Sequence, residues 1–128
     1  YDPALGRFQE LGGRGLALGV SADALFEASR EPLKPGSVVL IGTDGIWEAR
    51  SPAGGMLGKQ AVWDIVARHA HRPAADILQA VVAAVEDFLG GRHQEDDITL
   101  VVVKATGPAP AGEGRTPAVC APPAGPAC

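Results

Sequence analysis

The chain has 128 residues, 46% hydrophobic and 20% charged, with 17 glycines, 11 prolines and a formal charge of −4 from 11 Lys/Arg against 15 Asp/Glu. That describes one modest globular domain, and an acidic balance without a Lys/Arg cluster argues against nucleic acid or an anionic membrane surface as partner. The longest largely apolar runs, residues 80–85 and 98–103, fall well short of the roughly 18 residues that a bilayer span needs.

No charged start followed by an apolar stretch marks a signal peptide, and a first residue Tyr1 in place of Met is expected of an excised piece. Cys120 and Cys128 both lie at the far C-terminal end; one such pair builds no disulfide framework, and a reduced, cytoplasmic setting is expected.

In chain order, Arg7 to Leu11 is a short strand candidate, broken by Gly12, Gly13 and Gly15, and Leu16 to Val20 and Leu25 to Glu31 are further strand candidates. The glycine-rich stretch matches neither the P-loop nor the dinucleotide fingerprint and reads as a loop. Leu33-Lys-Pro-Gly36 is a turn, because proline presets the second turn position and glycine accepts the positive φ that follows. Ser37 to Gly42 is a β-branched run of the kind expected of a strand buried on both faces. From Gly58 the period changes, and Val62, Ile65, Val66 and His69 mark one face of a helix. Pro73 closes the connection to a second helix, Ala74 to Leu89, with Ile77, Leu78, Val81, Val82, Val85 and Leu89 facing inward, and Gly90 and Gly91 stop it. Ile98 to Lys104 is a last buried strand. The fold class is therefore α+β, two helices packed on a largely antiparallel sheet.

Six of the 11 prolines fall in residues 105–128, with seven alanines and four glycines. Such a segment buries too little area to offset an ordering entropy of about 1–2 kcal/mol per residue, so residues 1–104 are expected to be the folded domain and 105–128 a disordered Pro/Ala/Gly-rich tail.

Two acidic sites stand at strand ends. Asp44, in Thr43-Asp-Gly45, directly follows one predicted strand; Asp96 and Asp97, in Glu95-Asp-Asp97, directly precede the other. Were the two strands antiparallel neighbours, these carboxylates would meet at one rim of the sheet. Like charges so placed need a counter-ion, and hard oxygen donors suit Mg²⁺, Mn²⁺ or Ca²⁺. Zinc is disfavoured, since His69, His71 and His93 and the remote cysteines show no zinc spacing. Taken singly, an Asp-Gly after a strand is common turn chemistry and an acidic triplet before one is a solvated loop. Thr43 and Thr99 read as ordinary β-formers, with the Thr99 hydroxyl a candidate for orienting an aspartate. His69 and His71 suit the negative end of a helix. Trp63 reads as core or helix surface, while Trp47 either flanks a site or caps the sheet. No serine sits in a nucleophile elbow.

The joint pattern is more specific than its parts. Leu33-Lys-Pro-Gly36, the apolar strand, Thr43-Asp-Gly-Ile-Trp-Glu-Ala49, a loop ending Met56-Leu-Gly58, two helices and Glu95-Asp-Asp-Ile-Thr-Leu-Val-Val-Val103 resemble, in order and spacing, the PPM-type metal-dependent serine/threonine phosphatases (protein phosphatase 2C-like), in their bacterial SpoIIE-like branch. Leu16-Ala-Leu-Gly-Val20 resembles a strand of that branch. Ser37 stands where the family has aspartate, and Leu57 where it has phenylalanine; both positions read as structural. The resemblance covers residues 8–104 and implies part of an αββα sandwich whose two Mn²⁺ or Mg²⁺ ions activate a water that attacks phosphoserine or phosphothreonine. It assigns Asp44 and Asp96 as catalytic metal ligands, with Asp97 at the edge of the site. It further implies a phosphorylated regulatory protein of the anti-sigma antagonist kind as substrate, and a sensor domain upstream. The family's N-terminal strands, helices and bridging Gly-Asp aspartate have no counterpart in this sequence, so the chain is expected to be the C-terminal part of the domain, weak in metal binding and turnover and prone to dimerise through an open sheet edge or exposed apolar face. A non-catalytic PPM-like interaction module is the alternative function, and an unrelated α+β domain with an incidental acidic rim the third.

Overall fold

The computed structural model describes residues 1–13, 15–17, 19–92 and 96–107. Both cysteines, His93, Glu95 and the tail from Pro108 onward lie outside the described residues. The element order is β1 (Val38–Gly42), a single 3-10 turn (Asp44–Ile46), α1 (Lys59–His69), α2 (Ala74–Leu89) and β2 (Leu100–Lys104).

The turn expected before β1 is present. The Ser37 amide donates to the Lys34 carbonyl at 2.9 Å, and Gly36 supplies the φ of 85° that a side chain would oppose. β1 then pairs antiparallel with β2, Val38 opposite Lys104 and Gly42 opposite Leu100. The ladder runs on at both ends, with the Thr43 amide bonded to the Thr99 carbonyl at 3.1 Å and the Ala105 amide to the Ser37 carbonyl at 2.9 Å.

α1 begins without a side-chain cap after Gly58 and buries Val62, Ile65 and Val66, the face its 3.6-residue period predicts. α2 buries Ile77, Val81, Val85 and Leu89, a strict i, i+4 stripe, while Leu78 and Val82 are only half-buried. It ends as expected at Gly90, which adopts the left-handed conformation (φ 56°) and donates its amide to the Glu86 and Asp87 carbonyls. The two helices pack on each other and on the inner face of the sheet, where Leu40, Leu100 and Val102 meet the buried cluster of Val38, Ile46, Val62, Val66, Ile77, Val81 and Val85.

Burial of β1 and β2 on both faces is corrected by the structure. Ile41, Val101 and Val103 are exposed, and the register sets Ile41 opposite Val101 and Val39 opposite Val103, so one face of the sheet is apolar and uncovered. The three strand candidates of the first third are corrected as well. Among the described residues, 7–11, 16–20 and 25–31 form no strand, and Arg7 makes only an isolated bridge to Asp2. A strand exists only by pairing, and among the described residues of these segments no ladder forms. What ties the segment down is local: Tyr1 exchanges backbone bonds with Val38 at 2.7 and 3.0 Å, Phe8 stacks between Tyr1 and Trp63 with centroids 4.6 and 5.3 Å away, and Lys34–Asp2 and Lys59–Glu10 are ion pairs of 2.9 Å. Among the described residues no helix is long and apolar enough to cross a membrane.

Candidate metal centre

The antiparallel register brings the end of β1 beside the start of β2, the condition on which a shared acidic rim depended. At Thr43 the chain leaves the ladder: its carbonyl accepts the Ile46 amide at 3.3 Å and opens the 3-10 turn that carries Asp44. Gly45 is buried in that turn. A Cβ on it would lie 2.8 Å from the Asp97 carbonyl oxygen and 3.3 Å from that of Asp96, so only glycine lets the turn approach the acidic segment this closely. Across the gap, the Thr43 hydroxyl donates to the Asp97 carbonyl at 2.9 Å and accepts the Thr99 amide at 3.0 Å. The two acidic motifs, 52 positions apart by numbering, are thus in backbone contact at one end of the sheet.

Asp44, Asp96 and Asp97 are all exposed. Carboxylate oxygens of this kind match Mg²⁺ or Mn²⁺ in donor type. Among the described residues, however, no group of three or more His, Cys, Asp or Glu side chains is gathered as a metal centre requires, so the donors fit such an ion in chemistry and supply only part of its set. Among the described residues, the hydrogen bond of His69 is made within its own helix and not to this acidic end. His69 closes α1 with Nδ1 2.8 Å from the Ile65 carbonyl, the structural role its position predicts.

Two features were not read from the sequence, a hairpin at the end of α2 and a clasp at the rim. Residues 50–56 form a small hairpin closed by the Arg50–Met56 bridge, with the Ser51 amide bonded to the Gly55 carbonyl at 2.9 Å; Ser51-Pro-Ala-Gly-Gly55 was the legible signal. The hairpin is fixed to the end of α2 by the Arg92 guanidinium donating to the Ser51 carbonyl at 3.1 Å and by Pro52 packed on Gly90. The clasp is the Thr43 hydroxyl, and not that of Thr99, which the sequence offered for orienting an aspartate. Trp47 flanks the next element, its ring 5.5 Å from the Lys59 ammonium. A groove of about 690 Å³ lies along β1 between residues 1–11, residues 31–34 and α1. None of the three aspartates lines it, so the acidic rim is an open surface rather than a pocket.

Two helices against an antiparallel sheet, with acidic motifs at one strand end, define a fragment of the PP2C fold. The SiaA-PP2C domain of Pseudomonas aeruginosa matches 67% of this chain with a TM-score of 0.55 and 26% sequence identity, over 34% of that domain's chain. The family model for stage II sporulation protein E (SpoIIE) matches residues 1–106. The chain belongs to the SpoIIE family of PP2C-like phosphatases. It is also similar to Protein IcfG of Synechocystis sp., 27% identical over 89 residues, which is 70% of this chain and 14% of that protein. The chain therefore spans about a third of the solved relative and a seventh of the curated one.

Proposed function

We propose that this chain is the C-terminal part of a metal-dependent serine/threonine phosphatase domain (residues 1–104), in which Asp44 and Asp96 contribute carboxylates to a two-ion Mn²⁺ or Mg²⁺ site, with Asp97 at its edge. The observation that carries the proposal is the backbone contact between Gly45 and the Asp96–Asp97 carbonyls, which brings two acidic motifs to one rim although nothing in packing the core requires carboxylates there. The ions, when bound, lower the pKa of a water, neutralise phosphate oxygens and stabilise in-line displacement. The chain's own part is to hold oxygen donors on a rigid frame: Asp44 on a turn anchored by β1, and Asp96 on a segment anchored by β2. The exposed rim admits a phosphoserine or phosphothreonine presented on the surface of another protein, and the SpoIIE family membership favours a phosphorylated regulator of the anti-sigma antagonist kind as substrate, in a reduced cytoplasmic setting.

The count of donors favours an incomplete site in the isolated chain, and with it a second function, a PPM-like module that binds a regulator without turnover. Mutation separates the two. In a full-length protein carrying this domain, Asp44→Asn and Asp96→Asn are each expected to lower Mn²⁺-dependent hydrolysis of a phosphoserine protein roughly 100-fold or more, since even outer supports of a metal ligand are worth 10–100-fold. Hydrolysis unchanged by both substitutions would sink the catalytic assignment, and robust turnover by the 128-residue chain alone would sink the claim that its site is partial.

A further inference from the structure

The pair Thr43 and Thr99 departs from an ordinary ladder in a way that concerns the proposed site. A hydrogen-bonded antiparallel pair exchanges two N–H···O=C bonds. Here only one forms, from the Thr43 amide to the Thr99 carbonyl at 3.1 Å, because the Thr43 carbonyl has turned away to accept the Ile46 amide. The hydroxyl takes over the vacated position. It accepts the Thr99 amide at 3.0 Å and sends its proton to the Asp97 carbonyl at 2.9 Å, a double role open to a hydroxyl and closed to a carbonyl. Thr43 is β-branched, so its Oγ1 is confined to few rotamers, and the acidic segment is held against a turn that has no side chain to keep it away.

We propose that Thr43 is the positioning residue of the candidate metal centre: its hydroxyl fixes the spacing between the Asp44 turn and the Asp96–Asp97 segment, and divalent-ion binding by the chain depends on that spacing without Thr43 touching the ion. The proposal rests on the assignment of Asp44 and Asp96 as ligands made above. Its physical basis is the tolerance of coordination. Metal–ligand distances are held to about 0.2 Å, and without the hydroxyl the acidic segment keeps a single direct hydrogen bond to Thr43, from the Thr43 amide to the Thr99 carbonyl, on which it can swing. Thr43 and Thr99 are exposed, so water can satisfy the Thr99 amide and the Asp97 carbonyl once the hydroxyl is gone. The fold therefore survives the loss of the clasp while the spacing does not.

The test uses the 128-residue chain and Mn²⁺ alone, followed by paramagnetic broadening of backbone resonances at residues 44–46 and 96–99, a readout that registers weak binding and needs no turnover. Thr43→Val is expected to weaken Mn²⁺ binding 10–100-fold, the range for an outer support of a metal ligand, with faster amide exchange at Thr99 and a melting temperature within a few degrees of the parent. Thr43→Ser keeps the hydroxyl and is expected to restore affinity to within about threefold. Parent-like binding in T43V alongside faster Thr99 exchange overturns the proposal and leaves the ligand assignment standing. A T43V chain that unfolds, together with parent-like binding and melting in T43S, overturns it in favour of a purely structural role. Broadening that persists in both Asp44→Asn and Asp96→Asn overturns the ligand assignment, and the positioning role with it.

Discussion

The first 35 residues and the stretch from Val38 to Lys104 are both rich in apolar side chains and have opposite fates. In the second stretch Ile46, Val62, Val66, Ile77 and Val81 are almost wholly buried. In the first, every described residue from Gln9 to Pro35 except Ala24 is exposed, Leu25 at 90% and Val20 at 66%. The difference lies in where each segment finds its partners. An α-helix satisfies its backbone internally and needs a neighbour only for one stripe, so α1 and α2 can cover each other and the sheet with chain close at hand. A strand needs a second strand for its backbone, and among the described residues of 7–11, 16–20 and 25–31 there is no strand pairing beyond the single Asp2–Arg7 bridge. The uncovered apolar face of Ile41, Val101 and Val103 is the same deficit seen from the sheet.

The sharpest way to break this contrast is to cut equal amounts from both regions. Ile77, on α2, is fully buried in the core cluster, and Ile77→Ala is expected to cost about 2–5 kcal/mol, the loss of transfer energy plus a cavity. Leu25→Ala removes a comparable side chain that is 90% exposed and is expected to change stability by less than about 0.5 kcal/mol. Urea denaturation of the two variants measures both. Equal losses would mean that the first region is packed in solution.

A smaller effect is expected where the two regions touch. Phe8 lies between Tyr1 and Trp63, its ring nearly parallel to the indole at 9°, and such aromatic contacts contribute about 0.5–1.5 kcal/mol beyond burial. Phe8→Ala is expected to speed trypsin cleavage after Arg30 while amide protection in α1 and α2 stays as it was. Loss of protection in α1 would show that the N-terminal segment is part of the core, contrary to its exposure.

What could be read from the sequence divides along the same line. Both helices were legible nearly to the residue, because Val62, Ile65, Val66 and Ile77, Val81, Val85 repeat with a local period and Pro73 and Gly90 punctuate it. β1 and β2 were legible from their β-branched runs, and with them the meeting of the two acidic motifs, since adjacency of two strands decides where their ends lie. Which faces were buried was not legible: LVVVK alternates in burial only because one side of the sheet is uncovered. The strand candidates before Gly36 failed because pairing is non-local and no period within a segment reports it. At the site, the type and order of Asp44, Asp96 and Asp97 were visible in the chain, whereas the Thr43 clasp was not. Its hydroxyl takes the ladder position because the Thr43 carbonyl is diverted into a 3-10 turn, a backbone event that no side-chain pattern announces.

The smallest expected effect is a pH dependence that belongs to the first region alone. Asp2 accepts the Lys34 ammonium at 2.9 Å and the amides of Ala4 and Leu5, and the hydrogen bond from Lys34, ahead of the backbone bonds, holds its carboxyl below the usual 3.8. The folded state therefore binds this proton less readily than the unfolded one. The tie contributes in full above about pH 4 and is lost as the pH falls through the depressed value. The carboxyl is open to water, so the effect is local: on acidification the Lys34–Asp2 pair and the loop at residues 2–7 should loosen before any amide of α2 loses protection. Lys34→Met is expected to return the Asp2 titration, followed through its Cγ resonance, toward the ordinary value without moving the melting temperature of the helices. Should that substitution lower the melting temperature by more than a few degrees, the ion pair fastens the sheet as well as the N-terminal loop, and the boundary between the two regions lies further toward Tyr1.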